Sequence, residues 1–196
     1  MKNSKPIKFV ASCLTPEQSA ACESLGVKIV RNYACSYGEI KPGCVTDFSI
    51  HCFNSASLDV LKNLGVRRAT LHPELNFAQI RDIKKCIDTE AIIYGKIPLM
   101  KIKNPPVTPP SRTNNFGGII TDRTGAKFFL HGNQMYNSVP VFLADKPDDI
   151  KKSGISHGRF IFTTESADDV FAVIKAYLHH KSLKINFTRG KFYSKV

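Results

Sequence analysis

The chain has 196 residues, of which 42% are hydrophobic and 22% are charged, so global disorder is excluded and a single domain of ordinary size is expected. The formal net charge is +12, from 28 Lys and Arg against 16 Asp and Glu. This excess fits a polyanionic partner such as RNA, but the charges are scattered and could equally serve solubility. No apolar run reaches the roughly 18–20 residues that span a bilayer.

The N-terminal residues predict a cytoplasmic protein. Basic residues precede a short apolar stretch, but Thr15-Pro16-Glu17-Gln18 follows at once and has the composition of a helix start. A secretory signal peptide needs a longer apolar segment and a different continuation. We therefore expect no signal peptide, no membrane partner and a cytoplasmic location.

The six cysteines lie in the first half of the chain and include no Cys-x-x-Cys pair. A disulfide framework is not expected in a cytoplasmic chain of this kind. Buried free thiols are the simpler interpretation. A metal site built from Cys35, Cys44 and Cys52 is the alternative, although their spacings are wide.

Strand-like apolar runs alternate with helix-like segments of about ten residues, which is the pattern of βαβ units and a parallel sheet. The predicted strands are 7–11, 27–31, 46–51, 66–71, 90–94 and 158–162, with a further short apolar stretch at 139–143. The predicted helices are 16–25, 55–64, 75–86, 148–153 and 167–179. Thr15, Asn54 and Ser166 are the predicted N-caps, and Gly26 and Gly65 end the first two helices.

This alternation favours a (β/α) barrel over an open doubly wound sheet, because no Gly-rich phosphate loop follows an early strand. Six strands are fewer than the eight of a closed barrel. The predicted fold class is therefore α/β, a partial (β/α) TIM-like barrel with an inserted β-hairpin region, in a single domain covering 1–196.

The alternation is interrupted at about 101–140, where the sequence is rich in Pro, Gly and Asn. The run Pro105–Pro110 cannot form a helix or a central strand. The segments 118–122 and 126–131 flank Arg123-Thr124-Gly125 and predict a β-hairpin. Apolar runs flank the whole segment, so we expect it to build a site.

Six segments together resemble the collagenase-like peptidase family (peptidase family U, number thirty-two). The chain is similar to the C-terminal barrel segment of its long members, which carry a collagenase-like linker domain. The segments, in the same order as in the family, are 53–80, YGKIPLM at 94–100, TDRTGAKFFL at 121–130, MYNSVPVFLADK at 135–146, RFIFTTES at 159–166 and FTRGKFY at 187–193.

The resemblance implies one of several activities. The family is named for collagen-degrading peptidases, while other members hydroxylate a base in transfer or ribosomal RNA or serve quinone hydroxylation. The hydroxylation members hold an iron–sulfur cluster on four cysteines, and a Cys-Pro pair typically follows the YGKIPLM segment. Here KNPPVTPPSRTNNFGG follows, and no cysteine occurs after Cys86. We therefore expect no cofactor, because the thiolate ligands of the cluster are lost.

Candidate site residues follow the predicted strands. Glu74 comes just after a strand, at the end that is catalytic in a barrel, and is a candidate general base or ligand assisted by His72. Its alternative role is to complement a helix dipole. Tyr94 and Lys96 flank Gly95 and could orient a carboxylate or phosphate, or else be a packed aromatic and a solvated lysine.

The remaining candidates lie in the insert and the tail. Arg123 could clamp a carboxylate or phosphate, or pair with Asp122 to fix the turn. Tyr136 and Asn137 form a polar set that could bind a ligand or bridge backbone groups. Arg189 could meet RNA phosphates or pin the tail to the barrel.

Three functions remain open. The first is a protein related to the RNA-hydroxylation factors, with RNA as its partner. The second is a peptidase, for which the sequence has no Gly-x-Ser-x-Gly elbow, no His-Glu-x-x-His motif and no Cys with a motif His. The third is a non-catalytic barrel half that completes a partner chain.

Overall fold

The structure is a computed structural model that describes residues 6–104 and 118–194. The strands are β1 (Lys8–Cys13), β2 (Lys28–Ile29), β3 (Val45–Thr46), β4 (Arg68–Thr70), β5 (Asp88–Gly95), β6 (Pro98–Lys101), β7 (Gly118–Thr121), β8 (Lys127–His131), β9 (Gln134–Tyr136), β10 (Val141–Phe142) and β11 (His157–Phe162). The helices are α1 (Pro16–Ser24), α2 (Ser55–Asn63), α3 (Phe77–Asp82), α4 (Pro147–Lys152) and α5 (Ala167–His179). None of these helices is long and apolar enough to cross a membrane.

Six parallel strands form the main sheet, in the order β2-β1-β11-β5-β4-β3, with β10 antiparallel to β5. The sheet curls, and Ala34 beyond β2 forms a parallel bridge with Thr46 of β3. The fold is therefore α/β, a curled parallel half-barrel flanked by helices and consistent with a partial (β/α) barrel. The predicted number of six parallel strands is confirmed.

The helices begin where the sequence places their caps. Thr15 and Ser166 each accept a hydrogen bond from the third helical residue, whose side chain bonds back to the cap, and Asn54 caps α2. Such caps satisfy backbone N–H groups that a first turn leaves unpaired. The apolar stripe of α5 then packs on the sheet, where the Tyr177 ring lies 4.9 Å from that of Phe160.

Several predicted elements are shorter in the structure, including the strands predicted at 27–31 and 66–71, which cover only Lys28–Ile29 and Arg68–Thr70. The strand predicted at 46–51 ends at Thr46, because Asp47 caps a 3₁₀ turn over Phe48–Ile50 that ends in left-handed His51. The helix predicted at 75–86 covers only Phe77–Asp82. It stops because Ile83 is extended, and the Lys85 ammonium donates to the carbonyls of Ile80 and Ile83.

The predicted hairpin is half of a larger unit. Strands β7 and β8 pair as predicted, but β6 and β9 extend them into a four-stranded antiparallel sheet of order β6-β9-β8-β7. The prediction for Pro105–Pro110 lies outside the described residues. The antiparallel sheet begins just after β5, so it is placed at the carboxyl end of the main sheet.

Candidate functional site at the carboxyl ends of the strands

The inside of the curled sheet holds a network of buried charges. Arg68 Nε of β4 lies 2.8 Å from Glu90 Oε2 of β5, and Arg159 Nη1 of β11 lies 3.8 Å from Glu90 Oε1. The Thr70 hydroxyl donates to Glu90 Oε1 at 2.6 Å. Glu90 is fully buried, and a buried carboxylate is tolerated only when it is paired in this way.

Arg159 connects this network to the carboxyl end of the sheet. Its Nη1 donates to Asp47 Oδ1 at 2.7 Å, its Nε donates to Ser12 Oγ at 3.2 Å, and its guanidinium lies 3.8 Å from the centre of the Tyr33 ring. Burial alone would lower the pKa of Arg159, but Tyr33, Asp47 and Glu90 hold it above the usual value. Arg159 is therefore a fixed cation stacked on an aromatic ring.

Two connected features open beside Arg159, and we call them together the mouth. A cavity of about 450 Å³ is lined by Ser12, Tyr33, Asp47 and Arg159 among others. A chamber of about 140 Å³ shares Ser12, Asp47 and Arg159, and Tyr136 and Pro98 of the antiparallel sheet also line it. Burial raises the pKa of both Tyr33 and Tyr136. The two phenols therefore stay protonated and can donate hydrogen bonds.

Tyr94 and Lys96 lie together in a second pocket, of about 390 Å³. The Tyr94 hydroxyl donates to Glu165 Oε1 at 3.2 Å, and the Lys96 ammonium donates to Thr164 Oγ1 and lies 3.9 Å from the centre of the Phe129 ring. Burial lowers the pKa of Lys96. Both side chains already have protein partners, so this pocket is a satisfied polar cluster as it stands.

Gly95, which lies between Tyr94 and Lys96, is needed for the packing of the strands. Its φ is +123°, and a Cβ added there would lie 2.1 Å from the carbonyl oxygen of Ile161. The close approach that the glycine permits is therefore to the neighbouring strand β11.

His72 and Glu74 lie at the carboxyl end of β4. The His72 ring stacks on Phe53 at 4.2 Å and on His51 at 5.3 Å between ring centres, and burial lowers its pKa. The exposed Glu74 carboxylate lies 4.0 Å from His72 Nδ1. The pair is near the mouth through Phe48, whose ring is 6.1 Å from that of His72 and which lines the small chamber.

The candidate site residues of the insert do not lie together in one site. Asp122 fixes the β7–β8 turn by accepting from the backbone of Thr124 and Ala126 and from the Thr124 hydroxyl, and no ion pair joins it to Arg123 within the described residues. The Asn137 backbone N–H donates to the carbonyl of Ile97, and its side chain accepts from the next backbone N–H. Tyr136 alone of this group lines the mouth.

Arg189 holds the C-terminal tail. Its two terminal nitrogens donate to the two carboxylate oxygens of Asp145 at 2.6 and 2.7 Å, and Nη1 also donates to the carbonyl of Phe142. These hydrogen bonds hold the pKa of Asp145 below its usual value. Arg189 therefore pins the tail to the barrel, which is one of the two roles that the sequence analysis gives it; the other is contact with RNA phosphates.

Several residues of the mouth and its network were missed from the sequence, among them Tyr33, Asp47, Arg68, Glu90 and Arg159. A signal was present for two of them. Glu90 and Arg159 are charged residues within otherwise apolar strand runs, and a charge in such a run is expected to be buried and paired. Tyr33 and Asp47 lie in or beside loops, and only the closure of the sheet brings them together.

All six cysteines lie within the described residues, and all are free. Cys13 Sγ and Cys22 Sγ are 3.7 Å apart. The part of the chain that the structure describes contains no group of three or more His, Cys, Asp or Glu residues that could hold a metal ion. No four of the thiols are therefore brought together within the described residues.

Fold and site together define an α/β protein in which a curled parallel sheet presents an arginine and two tyrosines at its carboxyl end. Comparisons with protein-family models, with curated proteins and with solved structures find no match.

Proposed function

We propose that this is a cytoplasmic RNA-binding protein of the TIM-like barrel type, related to the RNA base-hydroxylation factors of the collagenase-like peptidase family. The mouth would take an unstacked RNA base. The observation that carries the proposal is the stacking of the Arg159 guanidinium on Tyr33, beside the cavity that Tyr136 also borders.

The chemistry of the mouth suits a base better than a peptide. Proteins recognise single-stranded RNA by stacking bases on aromatic rings and guanidinium planes and by hydrogen bonding to base edges. Tyr33 and Tyr136 offer aromatic rings and protonated hydroxyls among the residues that line the mouth.

The proposal concerns binding and orientation. The RNA-hydroxylation members of the family depend on an iron–sulfur cluster, and no four cysteines of this chain are brought together within the described residues. We therefore assign no step to a cluster. The residues of the mouth would position the base and exclude water from it.

The test is the affinity of the protein for a single-stranded RNA oligonucleotide, measured by fluorescence anisotropy across a salt series. Tyr136→Ala should weaken binding by about 5- to 150-fold, the scale of one lost base–aromatic stack of about 1–3 kcal/mol. Tyr37→Ala removes an exposed tyrosine that lines neither part of the mouth and should change nothing. Absence of RNA binding, or equal losses in both folded variants, would contradict the proposal.

A second candidate function is a barrel half that completes a partner chain. It is favoured by the two edge strands of the sheet, β2 and β3, which within the described residues meet each other only at the bridge of Ala34. An unpaired strand edge can accept another strand. Light scattering would reveal a dimer or a complex in that case, and a monomer that binds RNA would argue against it.

The peptidase alternative has weaker support. The Ser156 hydroxyl lies 2.8 Å from His157 Nδ1, as a nucleophile and its base would. However, Ser156 Oγ also donates to the carbonyl of Thr89 and accepts from the Thr89 N–H. The hydroxyl is thus committed to joining two strands, and its position at the amino end of β11 is opposite the mouth.

A further inference from the structure

The amino ends of the parallel strands surround a pocket of about 630 Å³ that is lined by several cations, and we call it the basic pocket. No aspartate or glutamate among the described residues lines it. The titratable residues of its lining, apart from Cys44, are Lys8, Lys28, Arg31, Arg67, Arg68 and His157. Five of these are permanent cations, so the pocket concentrates positive charge that is otherwise scattered over the surface.

The course of the edge strands explains the pocket. Lys28 of β2 pairs with Val10 of β1, whereas Val45 of β3 pairs with Arg68 of β4. The two edges meet only farther along, at the bridge between Ala34 and Thr46. The sheet is therefore open at its amino end, and the residues on both sides of the opening supply the cations.

Arg68 gives the pocket a fixed donor. The residue is 5% exposed, and its Nε faces Glu90 Oε2. Its two terminal nitrogens form no hydrogen bond or ion pair with any residue that the structure describes, although Arg68 lines the pocket. An almost fully buried guanidinium with two unused nitrogens is well suited to a bidentate oxyanion ligand.

The pKa of His157 is affected by the positive charge of the basic pocket. Burial lowers its pKa to about 4, and Arg68 is the next cause, with Lys8 and Arg67 acting in the same direction and Asp88 opposing them. The imidazole is therefore neutral near pH 7 and adds a hydrogen-bonding group without a further charge.

We propose that the basic pocket is a phosphate-binding site, with Arg68 as its buried donor and Lys28 and Arg67 as cations at its rim. The phosphate would belong either to a small phosphorylated ligand or to an RNA backbone. The volume is within the range of about 300–1,000 Å³ that is usual for small-ligand pockets. The two sites adjoin along residues 29–32, but the proposal does not rest on the proposed function, because Lys28, Arg67 and Arg68 line the basic pocket and neither part of the mouth.

The test uses Lys28→Gln/Arg67→Gln, which removes two exposed rim cations and leaves the buried Arg68–Glu90 pair intact. Its matched control, Lys152→Gln/Lys175→Gln, removes two exposed cations from helices outside the pocket. Binding of inorganic phosphate, adenosine 5′-monophosphate and a single-stranded RNA oligonucleotide is measured by calorimetry at one ionic strength, and the RNA titration is repeated across a salt series.

The rim variant should bind its ligand about tenfold or more weakly, the scale of one lost charge-assisted hydrogen bond, while the control should bind as the wild type does. Binding of the two small phosphates would identify a small-ligand site. Binding of RNA alone, with a salt slope reduced by about 1.4 in the rim variant, would identify a backbone contact.

Two results would overturn the proposal: no binding of any of the three probes, or equal affinities of the rim variant and the control. The experiment also distinguishes binding at the basic pocket from binding at the mouth. RNA binding that Tyr136→Ala weakens and the rim variant leaves unchanged would support the mouth and contradict the basic pocket. Binding of the small phosphates without binding of RNA would support the basic pocket and contradict the mouth as an RNA site.

Discussion

Glu90 is the residue on which the interior charge network depends. It faces Arg68 and Arg159 at once, and the Thr70 hydroxyl donates to its Oε1. Arg159 has a second anionic partner in Asp47, but Glu90 is the only carboxylate within ion-pair distance of Arg68 in the described part of the chain. Loss of the Glu90 charge would thus leave a buried guanidinium uncompensated.

Glu90→Gln is therefore expected to lower the free energy of unfolding by about 3–5 kcal/mol, the usual cost of breaking a buried ion pair. Urea denaturation followed by circular dichroism would measure it. Glu23→Gln removes the same charge from an exposed position on α1 and should change the stability by no more than about 0.5 kcal/mol. A loss of similar size in both variants would show that the network contributes nothing.

Strand β5 is the element that joins the two sheets. It pairs with β4, β10 and β11, and β6 of the antiparallel sheet starts three residues after it ends. Gly95 makes this possible at the last position of β5, because its positive φ and missing Cβ let the chain lie against the Ile161 carbonyl.

Gly95→Ala should lower the stability by about 3 kcal/mol or more, since a side chain there meets both a disfavoured φ and a backbone clash. Thermal denaturation monitored by calorimetry would show the effect. In Gly38→Ala the new Cβ meets no atom within 4 Å and the φ is ordinary, so that variant should remain near wild-type stability. An unchanged melting temperature for Gly95→Ala would mean that β5 can end differently.

The sequence predicts these elements unevenly, for physical reasons. Helix α5 was predicted at its observed bounds, because a cap and an apolar stripe are both local signals. Strands β6 and β9 are missed, because their sequences have no strand pattern of their own. Pro98 and Gln134 are in strands only because β6 and β9 pair with each other. Tyr136 and Tyr94 were recognised as candidates, whereas the contact of Arg159 with Asp47 and Tyr33 depends on a register that no local pattern contains.

At the scale of the whole molecule, the tail after α5 closes the structure. Thr188 exchanges backbone hydrogen bonds with Pro140 and Phe142, and Arg189 holds Asp145. Phe192 is 4% exposed, and its ring lies 4.7 Å from that of Phe77. The basic and aromatic composition of this tail is therefore explained largely by packing.

Phe192→Ala should lower the free energy of unfolding by about 3–5 kcal/mol, because it opens a cavity between the tail and α3. Lys191→Ala alters the exposed neighbour and should stay within about 0.5 kcal/mol. Chemical denaturation of both variants decides the matter. If the two behave alike, the tail is a surface feature that is available for other contacts.

The position of β11 between β1 and β5 has a consequence for the nascent chain on the ribosome. Strands β1 and β2 emerge early, yet β11, the strand that pairs with both β1 and β5, is synthesised only with His157–Phe162. At elongation rates of about 5–20 residues per second, β1 waits roughly 7–30 s for its neighbour. The edge of β1 is open throughout that interval, and the edge of β5 is open once residues 88–95 have been synthesised. Chaperones that shield such edges should therefore associate most strongly with intermediates that end before residue 157.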